Sequence, residues 1–325
     1  MCRYNINTKF SEVFDEPAFA GWKYMLDFRR EDPDGWLEKL SFAEMEARTN
    51  LNWSARRIAE GYNYLYECAQ KEQVFYHYWD EKERNRNPAK CFTGLVVFPL
   101  ARKSKFAMIC PGGGYGAVCA LLEGYPLAKQ LNKMGYAAFV VAYRTGRADI
   151  QPAPQEDLAE AVKYILQHAE EFQLDTEDYA VIGFSAGAHL AGSFGIPAIG
   201  YKKYHLPKPG AMFLGYPVVT MGEMAHAGSR ENFLGKEYAD DEVLREKYSI
   251  EKRISSEYPK TFLWQCDGDD LVPFANSQLL AEALEKNNVP YCYEVFHYPT
   301  HGLREDADEY AKSWLERAVN FWEGE

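Results

Sequence analysis

The 325-residue sequence predicts an α/β fold with a mostly parallel sheet covered by helices on both faces, preceded by a helical extension. From about residue 93 onward, short and nearly continuous apolar runs alternate with amphipathic helical segments. That alternation is typical of parallel strands buried on both faces. Residues 1–90 lack it, and they hold four of the seven Trp and long charged runs that favour helices. We therefore predict an N-terminal extension over 1–90 and an α/β domain over 91–325.

The extension is predicted to contain two or three helices. Apolar and aromatic residues recur at helical spacing over 54–70, and Asp34 and Ser41 are candidate helix caps. A strand is predicted over 74–79, and the polar segment 80–90 is predicted to be a loop. Because exposed aromatic side chains favour burial against another surface, we expect the extension to cap the strand ends or to form a homo-oligomer surface.

The α/β domain is predicted to contain seven strands, five helices and one insertion. The insertion is expected over about 217–260, where the alternation is interrupted. The strands are expected over 93–100, 105–110, 136–143, 179–184, 211–217, 260–266 and 291–296, and the helices over 121–134, 155–172, 186–195, 275–287 and 306–322.

Charge and cysteine content exclude several classes of protein. The chain has 36 Lys and Arg against 48 Asp and Glu, a formal net charge of −12, so we expect no nucleic acid or membrane partner. None of its seven cysteines has the Cys-x-x-Cys spacing of a zinc or redox site, and we expect neither a metal nor a cofactor. With no apolar stretch long enough for a signal peptide or a membrane span, the expected location is cytoplasmic.

The segment Gly-Phe-Ser-Ala-Gly at 183–187 has the pattern of a nucleophile elbow. It follows an apolar predicted strand and opens a helix of small residues, which is the context this motif requires. The glycines leave room for a sharp turn, so the Ser185 hydroxyl projects at the helix N-terminus, where the dipole favours developing negative charge. Ser185 is the candidate nucleophile.

A serine needs a base to act as a nucleophile. His301 lies in a loop between the last strand and the last helix, and we assign it this role. His297 lies at the strand end and is expected to be structural. His189 is four residues after Ser185 on the same helix and is expected to pack in the interior.

The acid that orients the base should follow the strand over 260–266. Three aspartates compete there, and Asp269 is chosen ahead of Asp270, with Asp267 third. The oxyanion hole requires backbone amides held close to the reacting carbonyl. The sequence offers the amide of Ala186 and, in the glycine-rich tract 111–116, those of Gly113 and Gly114, with the amide of Tyr115 as an alternative.

These motifs resemble those of bacterial α/β-hydrolases that include acetyl esterases, carboxylesterases and acetylxylan or feruloyl esterases. The resemblance covers roughly 100–323 and is carried by PGGGYG, GFSAGAHLAG, HAGSRENFLG, TFLWQCDGDDLVP and HYPTHGL. It implies a nucleophile at Ser185, an acid at Asp269, a base at His301 and an oxyanion loop over 112–114. The chain departs from related esterases at Pro111, where they have His, and at 265–266, where Gln-Cys replaces a frequent His-Thr pair.

The sequence thus predicts a serine carboxylesterase that hydrolyses small acyl esters, of which acetyl esters of sugars are the favoured class. The expected partner is a small-molecule ester such as an acylated oligosaccharide. Tyr115 is expected to wall the acyl pocket. His226, in the insertion, is expected either to line the substrate pocket or to belong to a cap held by its own hydrogen bonds. A serine peptidase or amidase on the same fold, and a catalytically silent scaffold, are the alternatives.

Overall fold

A computed structural model describes residues 2–28, 35–49, 53–146 and 150–324, and an eight-stranded sheet runs through it. The strand order in the sheet is β1-β2-β4-β3-β5-β6-β7-β8. The bounds are β1 Phe75–Tyr76, β2 Gly94–Phe98, β3 Ser104–Cys110, β4 Ala137–Ala142, β5 Leu174–Phe184, β6 Ala211–Gly215, β7 Thr261–Cys266 and β8 Tyr291–Phe296.

The sheet is mostly parallel, as predicted. The β1–β2 and β2–β4 pairs are antiparallel, and every other neighbouring pair is parallel. All residues of β2, β4, β6 and β7 are buried. Since successive strand residues point to opposite faces, both faces of these strands are covered. All seven strands predicted after residue 92 form, because long runs without polar residues leave few alternatives to a buried strand.

The N-terminal extension contains more helices than predicted. Their bounds are α1 Phe10–Phe14, α2 Lys23–Leu26, α3 Phe42–Glu46, α4 Ala55–Ala69 and α5 Glu81–Arg86. Ser41 caps α3 as expected, and Asp34 lies outside the described residues. The segment 80–90 is not a plain loop, because the Asp80 side chain accepts a hydrogen bond from the Glu83 amide and starts α5.

The extension packs into the same hydrophobic core as the α/β domain. The Tyr125 hydroxyl donates to the Met25 carbonyl at 2.5 Å, and β1 of the extension pairs with β2. A Cβ on Gly61 of α4 would lie 3.0 Å from Pro126, so the helix lies directly against the domain. The expected homo-oligomer surface stays a prediction.

The remaining helices lie near the predicted positions, except for two that form within the insertion over about 217–260, where no helix was predicted. Their bounds are α6 Ala120–Glu123, α7 Tyr125–Met134, α8 Ala153–Gln167, α9 Ala186–Gly195, α10 Ala227–Leu234, α11 Glu242–Tyr248, α12 Ala275–Lys286, α13 Glu309–Lys312 and α14 Trp314–Glu323. The helix expected over 121–134 is divided at Gly124, because Pro126 lacks the amide hydrogen that a continuous helix needs. The last predicted helix is likewise two, α13 and α14. In the described part of the chain, no helix has the length and apolar character needed to cross a membrane.

Candidate active site

The turn between β5 and α9 holds Ser185 in a strained conformation. Its φ and ψ are 54° and −123°, an unusual combination for a residue with a side chain. A Cβ on Gly183 would lie 2.4 Å from the Gly187 carbonyl oxygen, and a Cβ on Gly187 would lie 2.1 Å from that of Cys110. Both glycines of the predicted elbow are therefore required by close backbone contacts.

His301 bridges Ser185 and Asp269. Its Nε2 lies 2.9 Å from Ser185 Oγ, and its Nδ1 lies 2.9 Å from Asp269 Oδ2. With Nδ1–H donating to the carboxylate, Nε2 is left unprotonated and accepts from the serine hydroxyl. Ser185 and His301 are each 7% exposed, and the Asp269 side chain is fully buried. The three residues that the sequence predicted thus lie in hydrogen-bonding order.

The Asp269 carboxylate is held by three further donors. Its Oδ1 accepts from the amides of Leu271 and Val272 at 3.0 and 2.9 Å. Its Oδ2 accepts from Gln265 Nε2 at 3.0 Å. Sequence reasoning noted Gln265 as a departure from the related esterases but assigned it no role. Its side chain orients the carboxylate that in turn orients His301.

The competing side chains lie elsewhere. Asp270 is exposed. Asp267 pairs with His297 at 2.7 Å, and the His297 side chain is 84% exposed. Of the three aspartates in the loop, Asp269 is the one in contact with His301.

The glycine-rich loop after β3 passes directly over the nucleophile. A Cβ on Gly112 would lie 2.9 Å from that of Ser185. Gly113 and Gly114 have φ of 125° and 61°, values that favour glycine. Among the described residues, the amides of Gly113, Gly114 and Ala186 have no hydrogen-bond acceptor. This leaves donors available beside Ser185, and their role as an oxyanion hole stays a prediction.

A half-buried carboxylate that sequence reasoning missed supports this loop. Glu123 Oε2 accepts from the Gly112 amide at 2.5 Å, and its Oε1 accepts from the Tyr216 hydroxyl at 2.7 Å. The Tyr216 ring lies 4.7 Å from the His301 ring. Burial raises the pKa of Glu123, against the effect of these hydrogen bonds. In the sequence, Glu123 stands out only as a single acidic residue between the apolar stretch 117–122 and Gly124.

Tyr115 is placed differently from the expected pocket wall. Its ring is fully buried and stacks on Phe233, and its hydroxyl lies 2.7 Å from His189 Nδ1. His189 Nε2 lies 2.8 Å from the Tyr248 carbonyl oxygen, and burial lowers its pKa to about 4. With no exposed surface, Tyr115 supports the loop from beneath. His189 packs in the interior, as predicted.

The insertion between β6 and β7 reaches the glycine-rich loop. His226 caps α10, and its Nδ1 lies 2.8 Å from Ser229 Oγ. Asn232 Nδ2 donates to the Gly114 carbonyl at 2.8 Å. His226 is partly exposed, and burial lowers its pKa. The expected internal hydrogen bond is present, while contact between His226 and a substrate stays a prediction. Within the described ranges, no group of three or more His, Cys, Asp or Glu is arranged to hold a metal ion.

The chain is similar to proteins that are named as a xylanase, an acetylxylan esterase and an acetyl ester-xyloside hydrolase. The BD-FAE family model matches residues 105–201. Endo-1,4-beta-xylanase B of Butyrivibrio fibrisolvens is 32% identical over 248 residues, which are 73% of this chain and 39% of that protein. The acetylxylan esterase of Xylanibacter ruminicola is 32% identical over 214 residues, 64% of this chain and 43% of that protein. The matched regions span less than half the length of these two curated relatives.

The match to one solved structure spans a larger share of the relative's chain. The acetyl ester-xyloside bifunctional hydrolase from Caldicellulosiruptor lactoaceticus is 31% identical, with a TM-score of 0.68. The match spans 77% of this chain and 95% of that one. The similarity therefore extends over almost the whole of a solved relative.

Proposed function

The chain belongs to the α/β-hydrolase family of carboxylesterases and acetyl ester hydrolases, and we propose that it is a serine esterase that removes small acyl groups from sugars. The observation that carries this proposal is the continuous hydrogen-bonded order of Ser185, His301 and Asp269. A nucleophile, a base and a buried acid in that order have the geometry that acyl transfer requires.

The proposed reaction has two halves. Ser185 Oγ attacks the ester carbonyl carbon while His301 Nε2 takes the hydroxyl proton, and buried Asp269 stabilises the imidazolium that forms. The tetrahedral oxyanion accepts hydrogen bonds from Ala186 and from Gly113 or Gly114. His301 then donates its proton to the leaving alcohol, which leaves an acyl group on Ser185.

Water completes the turnover. His301 removes a proton from a water molecule that attacks the acyl-serine carbonyl, and a second tetrahedral oxyanion forms at the same amides. Its collapse releases the carboxylic acid and returns the proton to Ser185. Each proton that leaves the Ser185 hydroxyl or the attacking water in these two steps passes through His301 Nε2.

The proposed substrate class is supported by the relatives rather than by the triad. Two of the similar proteins are named for acetylxylan or acetyl ester-xyloside hydrolysis. An ester of acetate with a xylose hydroxyl is a neutral group, which suits a chain of net charge −12. We therefore propose acetylated xylo-oligosaccharides as substrates.

Acetate release from acetylated xylo-oligosaccharides tests the proposal. The wild-type protein should release acetate, and the Ser185→Ala variant should lose at least about 10³-fold in kcat/KM. Ser193→Ala, on the same helix as Ser185, is the matched control for loss of a buried hydroxyl. A folded wild-type protein without turnover on any acyl ester would contradict the proposal and favour amide substrates or a silent scaffold.

A further inference from the structure

A cavity of about 340 Å³ is lined by residues that neighbour Ser185 and His301, while these two residues themselves lie outside its lining. Phe184, which precedes Ser185, lines it, and so does Tyr216, whose ring contacts His301. Another part of the wall comes from the start of α4 in the N-terminal extension. Its volume is within the range of small-ligand pockets, roughly 300–1,000 Å³. The cavity is thus large enough for a part of the substrate that extends beyond the ester.

Charged side chains from distant parts of the sequence meet at this cavity. The cations are Arg56, Arg57, Arg304 and Lys312, and the carboxylates are Glu123, Glu305 and Glu309. Glu123 is engaged by the loop amide and the tyrosine hydroxyl described above. Glu305 accepts from Ser54 and Arg56, and Glu309 pairs with Lys312 at 3.5 Å. Every carboxylate of the cavity therefore already has a hydrogen-bond or ion-pair partner.

Two of the guanidinium groups at the cavity have no such partner among the described residues. Among the residues that the structure describes, neither Arg57 nor Arg304 has an ion-pair or hydrogen-bond partner for its side chain. Arg57 is partly buried, and Arg304 is exposed at the cavity edge. The cavity holds four cationic side chains and three carboxylates, a local excess of one positive charge in a chain whose net charge is −12.

Apart from Ser54 and Gln130, the uncharged part of the wall is formed by apolar and aromatic side chains. Trp264 and Trp314 line the cavity together with Leu303. Such a surface accepts the apolar face of a ring, while the arginines offer planar pairs of N–H donors that match a carboxylate. A ring with an apolar face and a carboxylate substituent fits both features at once.

We propose that this cavity is a subsite for the alcohol side of the substrate and that it takes a sugar carrying a carboxylate, held by Arg57 and Arg304. The inference rests on the proposed esterase function and adds to it a preference for uronic acid-substituted oligosaccharides. It also gives the N-terminal extension a role, because Arg57 belongs to α4.

Binding to the Ser185→Ala protein tests the subsite without turnover. The two probes are xylotetraose and xylotetraose carrying one glucuronic acid residue, titrated by calorimetry at low salt. The acidic probe should bind at least about tenfold more tightly, and Arg57→Gln and Arg304→Gln should each remove roughly tenfold of its affinity. Arg253→Gln, an exposed arginine outside the cavity, controls for the change in net charge.

The outcomes separate this inference from the esterase proposal. Equal affinity for the two probes, or equal losses in Arg304→Gln and Arg253→Gln, would overturn the subsite even if the wild-type protein is an active esterase. Specific binding of the acidic probe that depends on Arg304 would support the subsite even if no ester is hydrolysed. Arg304 lies in an exposed loop, so its variant should fold even if Arg57→Gln does not.

Discussion

The carboxylate of Glu123 accepts a hydrogen bond from the amide of Gly112, the residue that precedes the two glycines proposed to bind the oxyanion. Its other oxygen accepts from Tyr216, whose ring lies against His301. One side chain therefore ties the loop above the nucleophile to the ring beside the base. Glu123 acts through its neighbours and is a positioning residue.

Replacing Glu123 should lower turnover more than substrate binding. In Glu123→Ala the loop loses its anchor, and we expect kcat on p-nitrophenyl acetate to fall roughly 10- to 100-fold. Glu123→Gln should retain most of kcat, because its carbonyl can accept from Gly112 and its amide can donate to the Tyr216 oxygen. If Glu123→Ala has a wild-type kcat, or if the glutamine variant gives no rescue, the positioning role is wrong.

The two neighbouring aspartates should differ sharply. Asp269 is fully buried against His301, and Asp270 is exposed. An asparagine at 269 stabilises the wrong imidazole tautomer, so Asp269→Asn should lower kcat/KM by roughly 10⁴-fold. Asp270→Asn should stay within about twofold of wild type, since exposed substitutions change little. Comparable losses in both variants would contradict the assignment of the acid.

The elbow glycines should be intolerant of a methyl group. A Cβ on Gly187 would lie 2.1 Å from the Cys110 carbonyl oxygen and 2.4 Å from that of Pro111, and backbone cannot move aside cheaply. We expect Gly187→Ala to lower the free energy of unfolding by about 1–3 kcal/mol or more, measured by urea denaturation. Gly222→Ala is the control, because its nearest contact is a side-chain oxygen at 3.2 Å. Equal stability of both variants would mean that the turn is looser than described.

His189 should make folding stability sensitive to acid. Burial lowers its pKa from 6.5 to about 4, so between these values the unfolded chain binds a proton that the folded chain does not. Stability contributed by the neutral imidazole is therefore complete above pH 6.5 and is lost as the pH falls toward 4, by roughly 3 kcal/mol in all.

Denaturation curves between pH 7 and 4 provide the measurement. His189→Gln should show a shallower loss of stability with acid than wild type, although it is less stable at pH 7. The same acid slope in His189→Gln and wild type would refute the linkage.

The sequence was informative where local patterns determine structure. Buried parallel strands appear as apolar runs, and Gly183 is required by contacts with Gly187 and Ala188 in the same turn, so both were predicted correctly. The order of nucleophile, acid and base along the chain pointed to Ser185, to the loop that contains Asp269 and to His301, but it did not separate Asp269 from its two neighbouring aspartates. The helix at 81–86 was missed although Asp80 followed by Glu83 is a capping pattern that the sequence displays.

The residues that sequence reasoning missed depend on tertiary contacts. Glu123 and Gln265 act by reaching segments that the fold brings beside them, at Gly112 and Asp269 respectively. Tyr115 follows the glycine tract and was expected to face the substrate. Its positive φ of 59° and its contact with His189 instead place the ring in the core. Neither the hydrophobic periodicity of a sequence nor the spacing of its motifs shows which way such side chains point.

The most direct test of the proposed mechanism is to identify the residue to which the acyl group becomes attached. Wild-type protein mixed with excess p-nitrophenyl acetate should release a burst of p-nitrophenol equal to the enzyme concentration. When the reaction is quenched with acid and the protein is digested, the peptide that contains Ser185 should carry one acetyl group on that residue. Ser185→Ala should show neither the burst nor the acetylated peptide. Acetylation at another residue, or an undiminished burst in Ser185→Ala, would contradict the assignment of Ser185 as the nucleophile.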